Sequence, residues 1–319
     1  MRRAFTVLLT VLCLSTSLDA AGIRQKKIRE QPFCNFYDLM TGNRFRVQLR
    51  EKDTAFSGRG FAGAFTRNQR RMLCNNVRIE LLIPPVYEGT QMWLGSIDWY
   101  KTLRPVFYPA TVSRSKISTV MIDMGHGGND PGALGAFSRE KDITLKVGRR
   151  VGQLLTAYGF RVKYTRTGDV QVNLNRVGIL QKQSGSDLFV SIHVNSTTDK
   201  SITGIETYCL TPAGCASSNG GKASGVSHPG NRQDAANMLL AWNIQNSLLK
   251  RTRAVDRGIK RARFAVLKDI NVPGVLVEIG FISNRKEERM LNDAGYIDRI
   301  AYGIADGIAG FCRSTKPKP

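Results

Sequence analysis

The sequence predicts an α/β fold. An open, largely parallel twisted sheet flanked by helices is expected over residues 113–319, behind a smaller β-rich N-terminal domain over residues 22–112. Three observations predict it. From residue 117 onward, short apolar and β-branched runs alternate with stretches of helical period, the pattern of a parallel sheet with covering helices. Before that point, short alternating strands are separated by turn formers. Finally, two of the 3 histidines, His126 and His193, directly follow apolar runs. That is where an open α/β sheet builds its sites, beyond the carboxyl ends of its strands.

At the N-terminus, Arg2 and Arg3 precede an apolar run over 5–14, and small residues follow up to Ala21. This is the pattern of a secretory signal peptide over residues 1–21. Leu12 precedes Cys13 where a lipid anchor requires a small residue, so Cys13 is not read as an anchor. In the β-rich part, residues 44–49 and 77–81 alternate, and Gly42-Asn43, Pro84-Pro85 and Glu88-Gly89 punctuate them. A polar stretch over 66–73 is the helical candidate there. Residues 77–109 resemble the copper-amine-oxidase N-terminal-like modules of exported bacterial proteins. They contain no histidine, and no metal role is expected of them.

In the second part, strands are expected at 118–123, 160–165, 187–195, 204–210, 264–267 and 275–279. Helices are expected at 138–157, 174–183, 234–250, 285–291 and 296–311. Ser138 is the expected N-cap of the first helix, with Gly159 just beyond its end. Ile143, Val147, Val151, Leu154 and Leu155 give that helix one buried face. Residues 213–231 are rich in Gly, Ser and Ala, contain His228 and lack Asp and Glu, so they read as an inserted loop.

Composition excludes some classes. With 42% hydrophobic and 23% charged residues, the chain is an ordinary globular one, and no internal run has the length of a membrane span. The net charge of +22 favours polyanions. For an exported chain, acidic envelope polymers fit better than nucleic acid, which is not expected as a partner. Past the leader, Cys34, Cys74, Cys209, Cys215 and Cys312 remain. Export permits disulfides; Cys34–Cys74 and Cys209–Cys215 are the natural pairs by segment, although spacing alone does not fix connectivity. No Cys-x-x-Cys pair offers a thiolate zinc site, and the glycines around His126 lack the glycine–lysine spacing of a nucleotide loop.

A catalytic zinc commonly takes three protein ligands and keeps one position open. His126 and His193 supply two. Glu140, in the first turn of the helix after the His126 loop, is the best third, although a carboxylate there is also favoured by the helix dipole alone. Zinc lowers the pKa of bound water to about 7, and amide hydrolysis then needs a base. Glu278 sits near the end of the apolar run 275–283, where an unpartnered carboxylate is costly. It reads either as that base or as half of an ion pair with one of the many arginines.

Five strings occur in order: Ile122-Asp-Met-Gly-His-Gly-Gly-Asn-Asp-Pro-Gly-Ala133, Arg139-Glu-Lys-Asp142, Tyr164-Thr-Arg166, Ser191-Ile-His-Val-Asn195 and Leu276-Val-Glu-Ile-Gly-Phe-Ile-Ser-Asn284. Together they resemble the zinc-dependent N-acetylmuramoyl-L-alanine amidases of the bacterial division-amidase type, over about 118–312. The resemblance implies His126, Glu140 and His193 as ligands of Zn2+ and Glu278 as the catalytic glutamate. It implies peptidoglycan as substrate, cut between muramic acid and L-alanine, in the periplasm or the extracellular cell envelope. Met124 and Val194 depart from the family pattern, which has a small residue and alanine there. In several relatives an insertion near 213–231 carries a helix that blocks the site until an activator protein displaces it. Here that stretch lacks helix signal and any carboxylate, so activity without an activator is expected. Two other readings remain open on the residues: another zinc amide hydrolase, carboxypeptidase-like, and a non-catalytic basic envelope-binding protein.

Overall fold

The computed structural model describes residues 17–18, 22–112 and 116–315. Apart from Ser17 and Leu18, the leader expected over 1–21 lies outside the described residues. So does the point at 113–115 where the division between 22–112 and 113–319 was expected.

Among the described residues, one sheet contains 11 strands. Its catalytic half runs in the order Arg161–Tyr164, Thr119–Met124, Leu188–Asn195, Gly274–Phe281, Ile205–Leu210, Asp256–Ala262. All neighbours in this half are parallel except Gly274–Phe281 with Ile205–Leu210, which is antiparallel. Thr119–Met124 and Gly274–Phe281 are buried at every position, which is why they read as unbroken apolar runs. Helices Glu140–Ala157, Asp234–Thr252 and Ala294–Ser314 pack together on one face. Leu174–Ser184 and Ala265–Lys268 cover the other, over Met121, Phe189 and Leu276. No helix among the described residues is long and apolar enough to cross a membrane.

The N-terminal part does not stand apart from this sheet. Val77–Glu80 joins Asp256–Ala262 through the pair Ile79–Ile259, and the antiparallel strands Arg71–Cys74, Phe61–Thr66, Asp53–Gly58 and Arg46–Leu49 continue outward. A separate 5-stranded antiparallel sheet includes Arg24–Ile28, Gln31–Asn35, Gln91–Gly95 and Val86–Glu88. Buried Arg261 ties the two parts, donating to Lys101 O at 2.6 Å. Lys101 Nζ in turn reaches Asp234 at 2.6 Å.

Several expectations are corrected. The polar stretch 66–73 is a hairpin, not a helix. The helical turns of this part are Phe36–Gly42, capped by the Asn35 side chain on Asp38 N, and a run over 96–107. The strand expected at 264–267 is instead the helix Ala265–Lys268, and the strand lies earlier, at Asp256–Ala262. Four of its residues are charged, which hid it, and each charge is answered by a tertiary partner: Asp256 by Gln245, Arg257 and Lys260 by Glu206, Arg261 by the Lys101 carbonyl. Ser138 is not the N-cap; Arg139 is, with no side-chain cap bond. Neither expected disulfide forms. Cys34 lies in the other sheet opposite Leu94, with Sγ 3.1 Å from Ser96 Oγ, while Cys74 sits beside Val77 and Gly63. Cys74, Cys209 and Cys215 are buried thiols; burial pushes Cys74 and Cys209 up to about 12, so they stay un-ionised.

In the N-terminal part Asp98 is fully buried. Its carboxylate accepts the backbone N–H groups of Leu82 and Ile83, both at 2.9 Å, and the Thr102 hydroxyl at 3.1 Å. Asp98→Ala strands the buried Leu82 N–H and the part-buried Ile83 N–H. A loss of about 3 kcal/mol of unfolding free energy is expected in urea denaturation, and a loss below about 1 kcal/mol would contradict this role.

Candidate active site

The strand Thr119–Met124 ends in a loop that its glycines shape. A Cβ on Gly125 would stand 2.4 Å from His193 Cε1, so only glycine lets the two strand ends close on each other. His126 adopts φ +65°, a conformation rare outside glycine. It is held there by paired backbone bonds between Gly127 and Asp130, 2.9 and 3.1 Å. Asp130 Oδ2 lies 2.8 Å from His126 Nδ1, which leaves Nε2 facing Glu140. Beneath the loop, buried Arg166 donates to Met124 O at 2.7 Å and to Lys141 O at 2.8 Å. Met124, large for its place, is received by Gly148, where a Cβ would be 2.3 Å from Met124 Cγ.

Glu140 is the first residue of its helix. The loop leading into it is pinned by Glu288, 0% exposed, which accepts the N–H groups of Ala136, Phe137 and Ser138 and the Ser138 hydroxyl at 2.8–2.9 Å. Ser138 thus serves Glu288 rather than the helix. Glu140 Oε2 accepts Ala133 N at 2.8 Å and lies 3.2 Å from His126 Nε2. Its Oε1 accepts Val194 N and lies 2.9 Å from His193 Nδ1. The two imidazoles meet edge to face with centroids 5.0 Å apart.

His126, Glu140 and His193 thereby form a group that can hold a metal ion, their ligand atoms all within 4.8 Å. Four ligands at tetrahedral bond lengths of about 2.0–2.2 Å stand roughly 3.3 Å apart, close to the His126–Glu140 separation. The electrostatics suit a cation. The Glu140 hydrogen bond is the largest cause that lifts His126 to about 9. Burial pulls His193 down, but Glu140 and Glu278 outweigh it and its pKa is raised. Burial pushes Glu140 up, and the two histidines more than reverse it, so it is held well below the carboxylate range.

Glu278 lies beside His193 in the parallel pairing and opposite Glu206 in the antiparallel one, so all three face the same side of the sheet. Burial pushes Glu278 up to about 8, with His193 opposing, and Oε2 is buried without a hydrogen-bond partner among the described residues. Among the described residues it is not half of an arginine pair. Glu206 takes that place, accepting Asn195 Nδ2 at 2.8 Å, Tyr208 OH at 2.7 Å and the cations of Lys260 and Arg257. Next to the histidines, a cavity of about 170 Å3 opens between Val172, Val177, Phe264 and Val266.

The four residues expected to carry chemistry therefore converge. His228 does not join them; it caps the turn Pro229–Gln233, its N–H donating to Asn231 Oδ1 at 3.0 Å. Asp130, Arg166, Glu206 and Glu288 were missed. Asp130 stands four residues after His126 inside the quoted string, but only the doubling back of the loop brings it to the ring.

Comparison with known proteins agrees with this geometry. The family model described as N-acetylmuramoyl-L-alanine amidase matches residues 120–310. The chain belongs to that family. The reaction of this amidase is hydrolysis of the amide between N-acetylmuramic acid and L-alanine in peptidoglycan. It is 33% identical over 232 residues to N-acetylmuramoyl-L-alanine amidase AmiA of Salmonella typhimurium, covering 64% of this chain and 79% of that one. An N-acetylmuramoyl-L-alanine amidase of Clostridium difficile superposes with a TM-score of 0.55 at 31% identity, covering 63% of this chain and 100% of its own. The CwlD amidase of Clostridioides difficile, solved in complex with the GerS lipoprotein, superposes at 0.53 with 28% identity, covering 61% and 98%.

The closeness of Gly125 to the His193 ring makes it a sensitive probe of the amidase site. Gly125→Ala is expected to weaken divalent-metal binding by about tenfold or more in a chelator competition, since a shift of about 1 Å in a ligand is costly. Unchanged metal affinity with unchanged circular dichroism would contradict the packing described.

Proposed function

We propose that His126, Glu140 and His193 hold a zinc ion and that Glu278 is the proton carrier of an exported peptidoglycan amidase. The observation that carries this reading is a single one: two imidazoles and a buried carboxylate converge beside a second buried carboxylate whose Oε2 has no hydrogen-bond partner among the described residues. Two nitrogens and an oxygen from three side chains, with Asp130 orienting one ring from behind, is a donor set that suits catalytic zinc. When bound, zinc supplies Lewis acidity that makes water nucleophilic near neutral pH and polarises a carbonyl.

The chain's own residues do the rest. Glu278 takes a proton from the water that adds to the lactyl carbonyl carbon. It delivers a proton to the amine nitrogen of L-alanine as the C–N bond breaks, leaving a lactyl carboxylate and a free stem peptide. Asp130 fixes the tautomer and tilt of His126. The Glu206 cluster binds the neighbouring cations away from Glu278, so that Glu278 has no resident ion pair to lose before it accepts a proton. Residues 113–319 form the catalytic domain in this reading. Residues 22–112 are a β-rich domain added at the sheet edge, and 1–21 a leader removed on export to the periplasm or the extracellular cell envelope.

The insertion over 213–231 supports activity without a partner. It holds no α-helix and is tied to the Asp256–Ala262 region by Ser218 N on Arg261 O at 2.7 Å and Arg263 on Cys215 O at 2.5 Å. The contrary reading, dependence on a protein partner, is favoured by the relative solved with a lipoprotein.

Two outcomes are expected. Glu278→Ala lowers turnover by roughly 100- to 10,000-fold with zinc still bound, whereas His126→Ala or His193→Ala loses both; substantial turnover in Glu278→Ala would refute its role. Purified protein with zinc digests isolated sacculi unaided, and near-zero activity that rises only on adding a partner would refute the activator-free reading.

A further inference from the structure

Glu206 is buried, and its two oxygens have different partners. Lys260 Nζ pairs with Oε2, and Arg257 Nε stands 3.4 Å from the same oxygen. Oε1 accepts Asn195 Nδ2 at 2.8 Å and the Tyr208 hydroxyl at 2.7 Å. Asn195 is the last residue of the strand that carries His193. It closes one of the five strings of the sequence, yet it is not among the metal-capable residues. In the sheet, the strand Gly274–Phe281 lies between the strand of Asn195 and the strand of Glu206. The bond from Asn195 to Glu206 therefore crosses over the strand of Glu278, a span of two strand spacings or about 9.5 Å. It is a latch across the middle strand.

The strands under and beside this latch are irregular. His193 pairs with Glu278 and Asn195 with Phe281, so the middle strand takes three steps where its neighbour takes two. Ile205 pairs with Asp256 and Glu206 with Gly258, so Arg257 is an extra residue in its own strand. Side chains three apart on a regular strand point to opposite faces, and an extra residue re-aims them. Phe281 thus joins Glu278 on the face of His193, and Arg257 joins Lys260 at Glu206. The two re-aimed residues meet, with the Arg257 guanidinium 5.0 Å from the centre of the Phe281 ring. An extra residue also interrupts the ladder, so the strand ends need another tie. Glu287 gives one, accepting Phe281 N at 2.7 Å and Gly204 N at 2.8 Å. The Asn195–Glu206 latch gives the other, on the face of the site.

We infer that Glu206 is a positioning residue of the amidase site, which through Asn195 holds the bulged strand ends in the register that aims His193 and Glu278 into one space. The inference rests on the reading that His126, Glu140 and His193 hold the metal. Two backbone bonds flank the latch and carry its effect. Val194 N, one residue before Asn195, donates to Glu140 Oε1 at 2.9 Å. Asn195 O accepts Ile282 N at 2.9 Å, where the chain leaves the strand of Glu278. A strand end that drifts at Asn195 therefore disturbs the metal group on one side and the carrier of Glu278 on the other. Lys260 and Arg257 fix Glu206 for this role. Glu206 takes no part in the proton transfer and acts through the backbone alone.

The test uses the full chain and the variants N195A, E206Q and N195A/E206Q. N195A opens the latch without changing a charge. In the metal-free protein, amide hydrogen exchange of N195A is expected to quicken about tenfold or more at Val194 and Ile282. The Phe189 amide, at the far end of the same strand and bonded to Pro273 O, is expected to keep its rate. In a chelator competition each single variant is expected to bind zinc about tenfold more weakly, the scale for a residue that orients a ligand from behind. The double variant binds no more weakly than the poorer single variant, because both changes remove one interaction. At saturating zinc, kcat falls while KM for muramoyl-peptide stays within about twofold. Wild-type exchange and zinc affinity in N195A would overturn the proposal. So would equal quickening at Phe189, the sign of general destabilisation, or zinc losses that add in the double variant. The exchange readout needs neither zinc nor turnover. The expected exchange pattern in a protein that leaves the muramoyl–L-alanine bond intact would therefore refute the functional reading and not this one.

Discussion

The structure turns on one carboxylate. Glu140 reaches from the first turn of its helix across the ends of two strands and engages His126 with one oxygen and His193 with the other. A buried anion is tolerable only when its hydrogen-bonding capacity is filled. Ala133 N and Val194 N complete it, and each of those donors fixes a backbone segment in turn. The His126 loop, the strand end after His193 and the helix N-terminus are thus held to one point by a single side chain. The supports lie further out. Glu288 fixes the approach to Glu140, and Arg166 props the backbone at Met124 and Lys141.

Parallel pairing makes this economical. Strands that run the same way end on the same side, so His126 and His193, 67 residues apart in number, come within ring contact. The antiparallel step at Ile205–Leu210 does a different job. It sets Glu206 opposite Glu278 and gathers Lys260 and Arg257 onto Glu206, so that Glu278 keeps an oxygen without a hydrogen-bond partner among the described residues.

The legible parts of this architecture are those where local pattern and burial agree. Strands buried on both faces read as apolar runs, so the carriers of His126, His193 and Glu278 stand out, and Glu140 follows from its place at a helix start. The strand Asp256–Ala262 was hidden because its charges find partners only after folding. The helix Phe36–Gly42 is too short for its period to show. Asp130 and Glu288 are ordinary acids in sequence; their meaning comes from a loop that doubles back and from a helix that arrives 150 residues later. The cysteine pairs failed for the same reason in reverse. Cys34 and Cys74 suggest a pair by segment, but the chain between them crosses from one sheet to the other.

The central claim is that these residues cut one particular bond with the help of zinc. Mass spectrometry of the fragments released from sacculi, with zinc and with a chelator, tests it most directly. The account predicts free stem peptides that begin with L-alanine and glycan that retains intact lactyl groups, both abolished by the chelator and restored by zinc. Fragments cut within the glycan or between peptide residues, or release that ignores the chelator, would contradict it.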